Sequence, residues 1–174
     1  MSDRLAMWQA WLPRQRWFAG KGRPATVVAD TAVDVERTPS HVVRVHLVGV
    51  SYDGTSTPTE TYQVPVVLRP AEQPASAGAL IAAVDEPDGT TWYAYDGPHD
   101  PAFAAAVLGL LAHDRWDVRW AAAEVLAERG DLTALEPLRR VQRQETDPLV
   151  RQVVASAVAR LEGLAAASGA ETPP

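Results

Sequence analysis

"HVVRVHLVGV", His41 to Val50, is the stretch on which the fold turns. Val43, Val45 and Leu47 share one face of an extended chain, and Arg44 and His46 share the other. That period of two belongs to a strand and not to a helix. Four neighbouring stretches have the same character: Ala25–Glu36, Glu60–Arg69, Ala79–Val84 and Thr90–Tyr95, all rich in Val, Thr and Tyr. The connections "TPS", "YDGTSTPT" and "EPDG" are short and turn-forming, which predicts antiparallel hairpins. Pro65 has no N–H for a ladder bond, so the third stretch is expected to lie at an edge or carry a bulge.

On the N-terminal side, Ser2 to Leu12 reads as a helix. Ser2 can cap it, and Leu5, Trp8 and Trp11 or Leu12 recur at helical spacing. Pro13 ends it, because the residue before proline is pushed out of the helical region. A basic elbow follows, with Arg14, Arg16, Lys21 and Arg23 around Trp17, Phe18, Gly20 and Gly22.

On the C-terminal side the character changes near His99, and alanine and leucine take over. Helices are predicted at Pro101–His113, Arg115–Arg129, Leu132–Gln144 and Pro148–Ala167. Asp114, Asp131 and Asp147 can start them and Gly130 can stop one. The tail "SGAETPP" is expected to be disordered. "DVRWAAAEVLAERG" echoes "LVRQVVASAVARLEG": Val118 matches Val150, Arg119 matches Arg151, Ala123 matches Ala155, and Leu126 matches Val158. Small residues on one face let two such helices approach closely. The arginine after the valine is expected to bond helix-end carbonyls or a neighbouring Asp.

A chain of 174 residues suits one or two small domains. There is no cysteine, hence neither a disulfide nor a thiolate metal site. No apolar run reaches the ~20 residues of a bilayer span, and the start lacks the form of a secretory signal. A cytoplasmic location is expected, with no membrane partner. A net charge of −6 argues against nucleic acid. The charge is unevenly spread: residues 1–24 hold five cations against Asp3, and residues 70–114 hold no Lys or Arg but seven acids. These patches are expected either to face one another or to meet a partner.

The usual chemistries are missing. In "FAGKGR" Gly22 stands where a phosphate-binding loop needs a hydroxyl, and no strand precedes it. His41 and His46 are expected on opposite strand faces, a poor arrangement for one metal. No serine sits in a nucleophile elbow. Asp85 and Asp88 flank "EPDG" and read as a solvated hairpin tip. Trp8, Trp11, Trp17 and Phe18 would suit a sugar-stacking platform, but core packing is the commoner use. No cofactor or metal is expected.

"WLPRQRWFAGKGR", "TYQVPVVLR" and "WYAYDGPHDPAF", in that order, resemble the N-terminal cap of actinobacterial maltokinases over about residues 5–110. In that family the cap is an antiparallel, cystatin-like sheet with flanking helices, set on a kinase body that phosphorylates maltose with ATP. The resemblance implies that Pro13, Trp17, Phe18, Gly20 and Gly22 form a structural elbow whose two aromatics pack inward. Arg14, Arg16, Lys21 and Arg23 are then candidates for binding a partner. The kinase lobes, which would carry the ATP, metal and sugar sites, have no counterpart here, so no catalytic residue transfers. The helical half, with Val118, Arg119, Val150 and Arg151, resembles short HEAT repeats of the phycobilisome-lyase type.

The expectation is thus an α+β protein. A cap-like antiparallel sheet with an N-terminal helix spans 1–110, a HEAT-like helical segment spans 111–167, and a disordered tail spans 168–174. The expected function is a non-catalytic interaction or regulatory module, with a protein partner from maltose, trehalose or glycogen metabolism. The alternative is a sugar or nucleotide binder, or part of a split maltokinase-like kinase.

Overall fold

The valine-rich stretches form five strands, each antiparallel to its neighbours: β1 (Thr26–Arg37), β2 (Val42–Ser51), β3 (Glu60–Arg69), β4 (Leu80–Asp85) and β5 (Thr91–Asp96). The computed structural model describes residues 3–73, 78–86 and 88–169. The chain divides into two compact units, Met1–Phe103 and Ala104–Pro174, an α+β body followed by a helical one.

In the first unit the sheet order is β1-β2-β3-β5-β4, so β4 folds back outside β5. β3 is therefore interior, contrary to the expectation from Pro65, and its pairing with β2 runs without a register shift. The proline is tolerated because β5 pairs with β3 only over Val66–Arg69. Pro65 falls just past that ladder, where its missing N–H deprives no partner strand. The close approach is visible at Gly97, where a Cβ would come within 2.8 Å of the Pro65 carbonyl oxygen.

Helix α1 (Asp3–Trp11) lies against one face of the sheet. Ser2, the expected cap, lies outside the described residues. Trp8 and Leu12 pack with Phe18, Val42, Val48, Val50, Val64, Val66 and Leu68. That face of β2 is the one that also carries Arg44 and His46, both buried. On the opposite face Val43, Val67 and Tyr95 are buried, while Leu47 is 45% exposed and Val33 67%. Hydropathy alone would have turned β2 the other way along much of its length.

In the second unit, α2 (Pro101–Leu110) begins just before the division, and α3 (Trp116–Arg129), α4 (Leu135–Gln144) and α5 (Pro148–Gly169) follow. α5 packs on both α3 and α4. Ala122, Ala123 and Leu126 are buried in α3, and Val150, Val154, Ala157, Val158 and Leu161 in α5. Gly130 ends α3 in the left-handed region, at φ 68°. Asp131 and Asp147 accept bonds from the backbone N–H groups of Thr133 and of Leu149 and Val150. Asp114 does not cap α3, because the helix starts at Trp116 with Arg115 in the capping position and no side-chain cap bond. Of the expected tail, Ser168 and Gly169 extend α5, with Ser168 Oγ donating to the Leu164 carbonyl. Residues 170–174 lie outside those described. No described helix is long and apolar enough to cross a membrane.

Candidate functional site

The basic elbow is a well-tied turn. Pro13 sits in a three-ten turn, Leu12–Arg14, directly after α1. Gln15 N donates to the Leu12 carbonyl at 3.0 Å, and Phe18 N to the Gln15 carbonyl at 3.3 Å. The Gln15 side chain donates back to the Trp11 carbonyl, and Arg23 N closes the turn onto the Gly20 carbonyl. Gly22 takes a positive φ of 78°, which an L side chain rarely adopts. Gly20 is required for another reason: a Cβ there would stand 2.6 Å from both the Phe18 ring and the Tyr52 hydroxyl.

The two aromatics of the elbow part ways. Phe18 turns inward and packs on Tyr62, with ring centroids 5.1 Å apart. Trp17 keeps 48% of its surface in solvent, so inward packing describes Phe18 and not Trp17. The Trp17 ring is nevertheless held on two sides, by Trp11 at 5.8 Å and Tyr62 at 6.0 Å. Beneath it Tyr52 and Tyr62 both donate to Glu60 Oε2, at 2.8 and 2.6 Å. These bonds hold the Glu60 carboxyl below its usual range, the Tyr62 bond most of all. Burial, then the Glu60 and Tyr52 bonds, push the Tyr62 phenol well up.

The cations differ from one another. Arg23 lies 3.9 Å above the Tyr52 ring and 4.0 Å from Glu60. Among the described residues Lys21 reaches only the Arg16 carbonyl, at 3.4 Å. Arg14 and Arg16 are exposed, and neither guanidinium meets an acid or donates a hydrogen bond among the described residues. Every other arginine of the first unit is paired: Arg4 with Asp30, Arg37 and Arg44 with Asp34, Arg44 also with Glu86, and Arg69 with Asp100. The acidic middle of the chain thus meets Arg44 and Arg69, not the elbow.

A second cluster lies under α1. His46 Nδ1 donates to Asp30 Oδ1 at 2.8 Å, and the two side chains are 5% and 4% exposed. The Trp8 ring stands edge-on to His46 at 5.0 Å. Burial alone pushes the Asp30 carboxyl up, but the His46 bond and charge, with Trp8 and Arg4, outweigh it and hold the group below its ordinary range. Beside it Arg44 bonds Asp34 at 2.5 Å and Glu86 at 2.6 Å. The Arg44 bond is the main cause of a lowered Asp34. Asp30, Asp34, Arg44 and Glu86, with Arg4 and Asp85, line an open cleft of about 750 Å³. No three His, Asp or Glu side chains among the described residues converge as a metal site would require. His41 is occupied separately, by Glu36 at 3.1 Å. At the hairpin tip Asp85 accepts from the Thr91 hydroxyl and Asp88 from Thr90, as a solvated turn does.

In the helical unit Arg119 donates to the carbonyls of His113 and Asp114, both at 2.9 Å, and to both oxygens of Glu145. It therefore ties the start of α3 to the loop before α5. The Arg119 bond lowers Glu145, which also accepts from Thr146 N and Asp147 N. Val150 is fully buried, whereas Arg151, the repeat equivalent of Arg119, is exposed and makes no such bond.

Reading the residues alone missed the Tyr52–Glu60–Tyr62 and Asp30–His46 groups. The signal for the second was present: Asp30 and His46 lie on one face of paired strands, where each fits no apolar pattern. No solved structure matches the chain at a significant level. Residues 97–167 match the HEAT repeats model. With the elbow leading into an antiparallel sheet, and residues 11–100 matching the maltokinase N-terminal cap domain, the chain belongs to the maltokinase N-terminal cap domain family.

Proposed function

We propose that this chain is a non-catalytic interaction module, with a regulatory role in maltose, trehalose or glycogen metabolism, that docks on a protein partner in the cytoplasm. The observation that carries this reading is the elbow, where Arg14, Arg16 and Lys21 stand without acidic partners among the described residues, beside a half-exposed Trp17. Elsewhere in the first unit a buried cation is paired within the fold, as Arg44 is with Asp34 and Glu86. Trp and Arg are also the residue types that dominate binding energy at interfaces. The HEAT match supports protein binding, and the cap match supports the metabolic link.

The test uses a feature of the sequence: Lys21 is its only lysine. Amine-reactive crosslinking in native lysate, read by mass spectrometry, therefore reports from the elbow and the N-terminus alone. A defined partner recovered through Lys21, and lost after Lys21→Arg, is the expected result. The absence of any Lys21 crosslink removes the reading.

A second reading, a sugar or nucleotide binder or one part of a split maltokinase-like kinase, is favoured by the exposed Trp17 ring next to Glu60 and Arg23. A sugar can stack on such a ring and bond such charges. Calorimetry with maltose, trehalose, glucosamine and ATP decides it, since silence with all four ends the binder version. Phosphorylation of sugar by the isolated chain would replace the first reading altogether.

A further inference from the structure

We infer that the elbow is built to read carboxylates, and that its occupant is an acidic, extended protein segment with an apolar side chain that covers Trp17. This rests on the reading of the elbow as a docking surface, and it adds the chemistry of the partner.

Three observations carry it. The first is charge. Arg14 and Arg16 are exposed, and neither has an acidic partner among the described residues, in a chain whose acids outnumber its Lys and Arg by 22 to 16. Glu60, the acid that does reach the elbow, is taken up by two phenols and Arg23. The second is side-chain type. Arginine forks match carboxylates with two parallel bonds, which a point charge does not. The third is rigidity. The turn is closed by the bonds at Gln15, Phe18 and Arg23, and the Trp17 ring is pinned between Trp11 and Tyr62. The turn backbone and the Trp17 ring need little further ordering on binding, which leaves the arginine side chains as the main cost.

The form of the surface selects the occupant. The clefts of about 750 and 530 Å³ are lined by other residues, and Arg14, Arg16, Trp17 and Lys21 are all exposed, which suits an extended segment laid over the turn. A net charge of −6 disfavours the broad phosphate contact of nucleic acid. An acidic protein segment can meet Arg14, Arg16 and Lys21 in turn and still cover Trp17.

The experiment is zero-length carbodiimide coupling in native lysate, which joins the Lys21 ammonium directly to a carboxylate as an amide with loss of water. The expected product links Lys21 to Asp or Glu within an acidic stretch of another protein. Its yield should fall at least tenfold in R14E/R16E and severalfold in R14Q/R16Q, with unchanged melting curves in both, and should survive nuclease. The proposal is overturned by a yield that persists in both double variants, by a product lost on nuclease treatment, or by coupling to a second copy of this chain. Where amine-reactive crosslinks from Lys21 to a partner protein still appear, the docking reading stands while the acidic partner does not. If neither chemistry yields a product at Lys21, both fail.

Discussion

Arg44 and Arg14 are the same residue in the same unit, used in opposite ways. Arg44 lies on the helix-covered face of the sheet, with its guanidinium shared between Asp34 and Glu86. Arg14 stands in a solvent-facing turn and its side chain bonds nothing among the described residues. A buried charge must be answered within the fold, because leaving it bare costs several kcal/mol. A solvated charge is answered by water and can wait for a partner at almost no cost to stability. The ionic cluster under α1 therefore reads as structure, and the elbow as surface available for use.

That contrast sets the order of the expected effects. Asp30→Ala leaves His46 buried without its carboxylate and should cost about 3 kcal/mol or more; the measurement is urea denaturation, and a loss below one would reassign the pair to the surface class. Gly20→Val forces a side chain against the Phe18 ring and the Tyr52 hydroxyl, for roughly 1–3 kcal/mol by overpacking. A thermal melt followed by tryptophan fluorescence reports it, since Trp17 packs next to Tyr62.

Acid should act through the carboxylates that the fold holds in bonds. Asp30, Asp34 and Glu145 all have carboxyls held below their ordinary values of 3.8, 3.8 and 4.5. A depressed folded value means that the unfolded chain takes up protons first as pH falls. The stability these groups contribute is thus complete above that range and declines as pH drops below about 4. Denaturation midpoints between pH 6 and 3 should fall accordingly, and Asp34→Asn should flatten the decline. The smallest effect is at the elbow: Arg14→Ala with Arg16→Ala should change stability by no more than about 0.5 kcal/mol. A larger loss would show that these side chains serve the fold after all.

The strands illustrate what can be read without coordinates. Each runs within one residue of its expected bounds, because alternation and turn chemistry act over a few neighbours. The capping roles of Asp131 and Asp147 and the stop at Gly130 were legible for the same reason. The interior position of the third strand, where an edge or a bulge was expected, was not, since the sheet order depends on β4 passing outside β5. In the elbow, four cations look equivalent as letters. Only the fold separates Arg23, paired over Tyr52 and Glu60, from Arg14 and Arg16.

By itself the amino-acid order determined the class of each segment, the antiparallel hairpins, the helical echo between α3 and α5, and the kinship to the cap family. These follow from periodicity, turn residues and local runs, all short-range properties. Tertiary structure alone decided which face of β2 is covered, that Arg44 meets Glu86 across 42 residues, and that Trp17 stays half in water while Phe18 does not. Those outcomes depend on which distant groups arrive together, and burial charges a free-energy penalty only once they have.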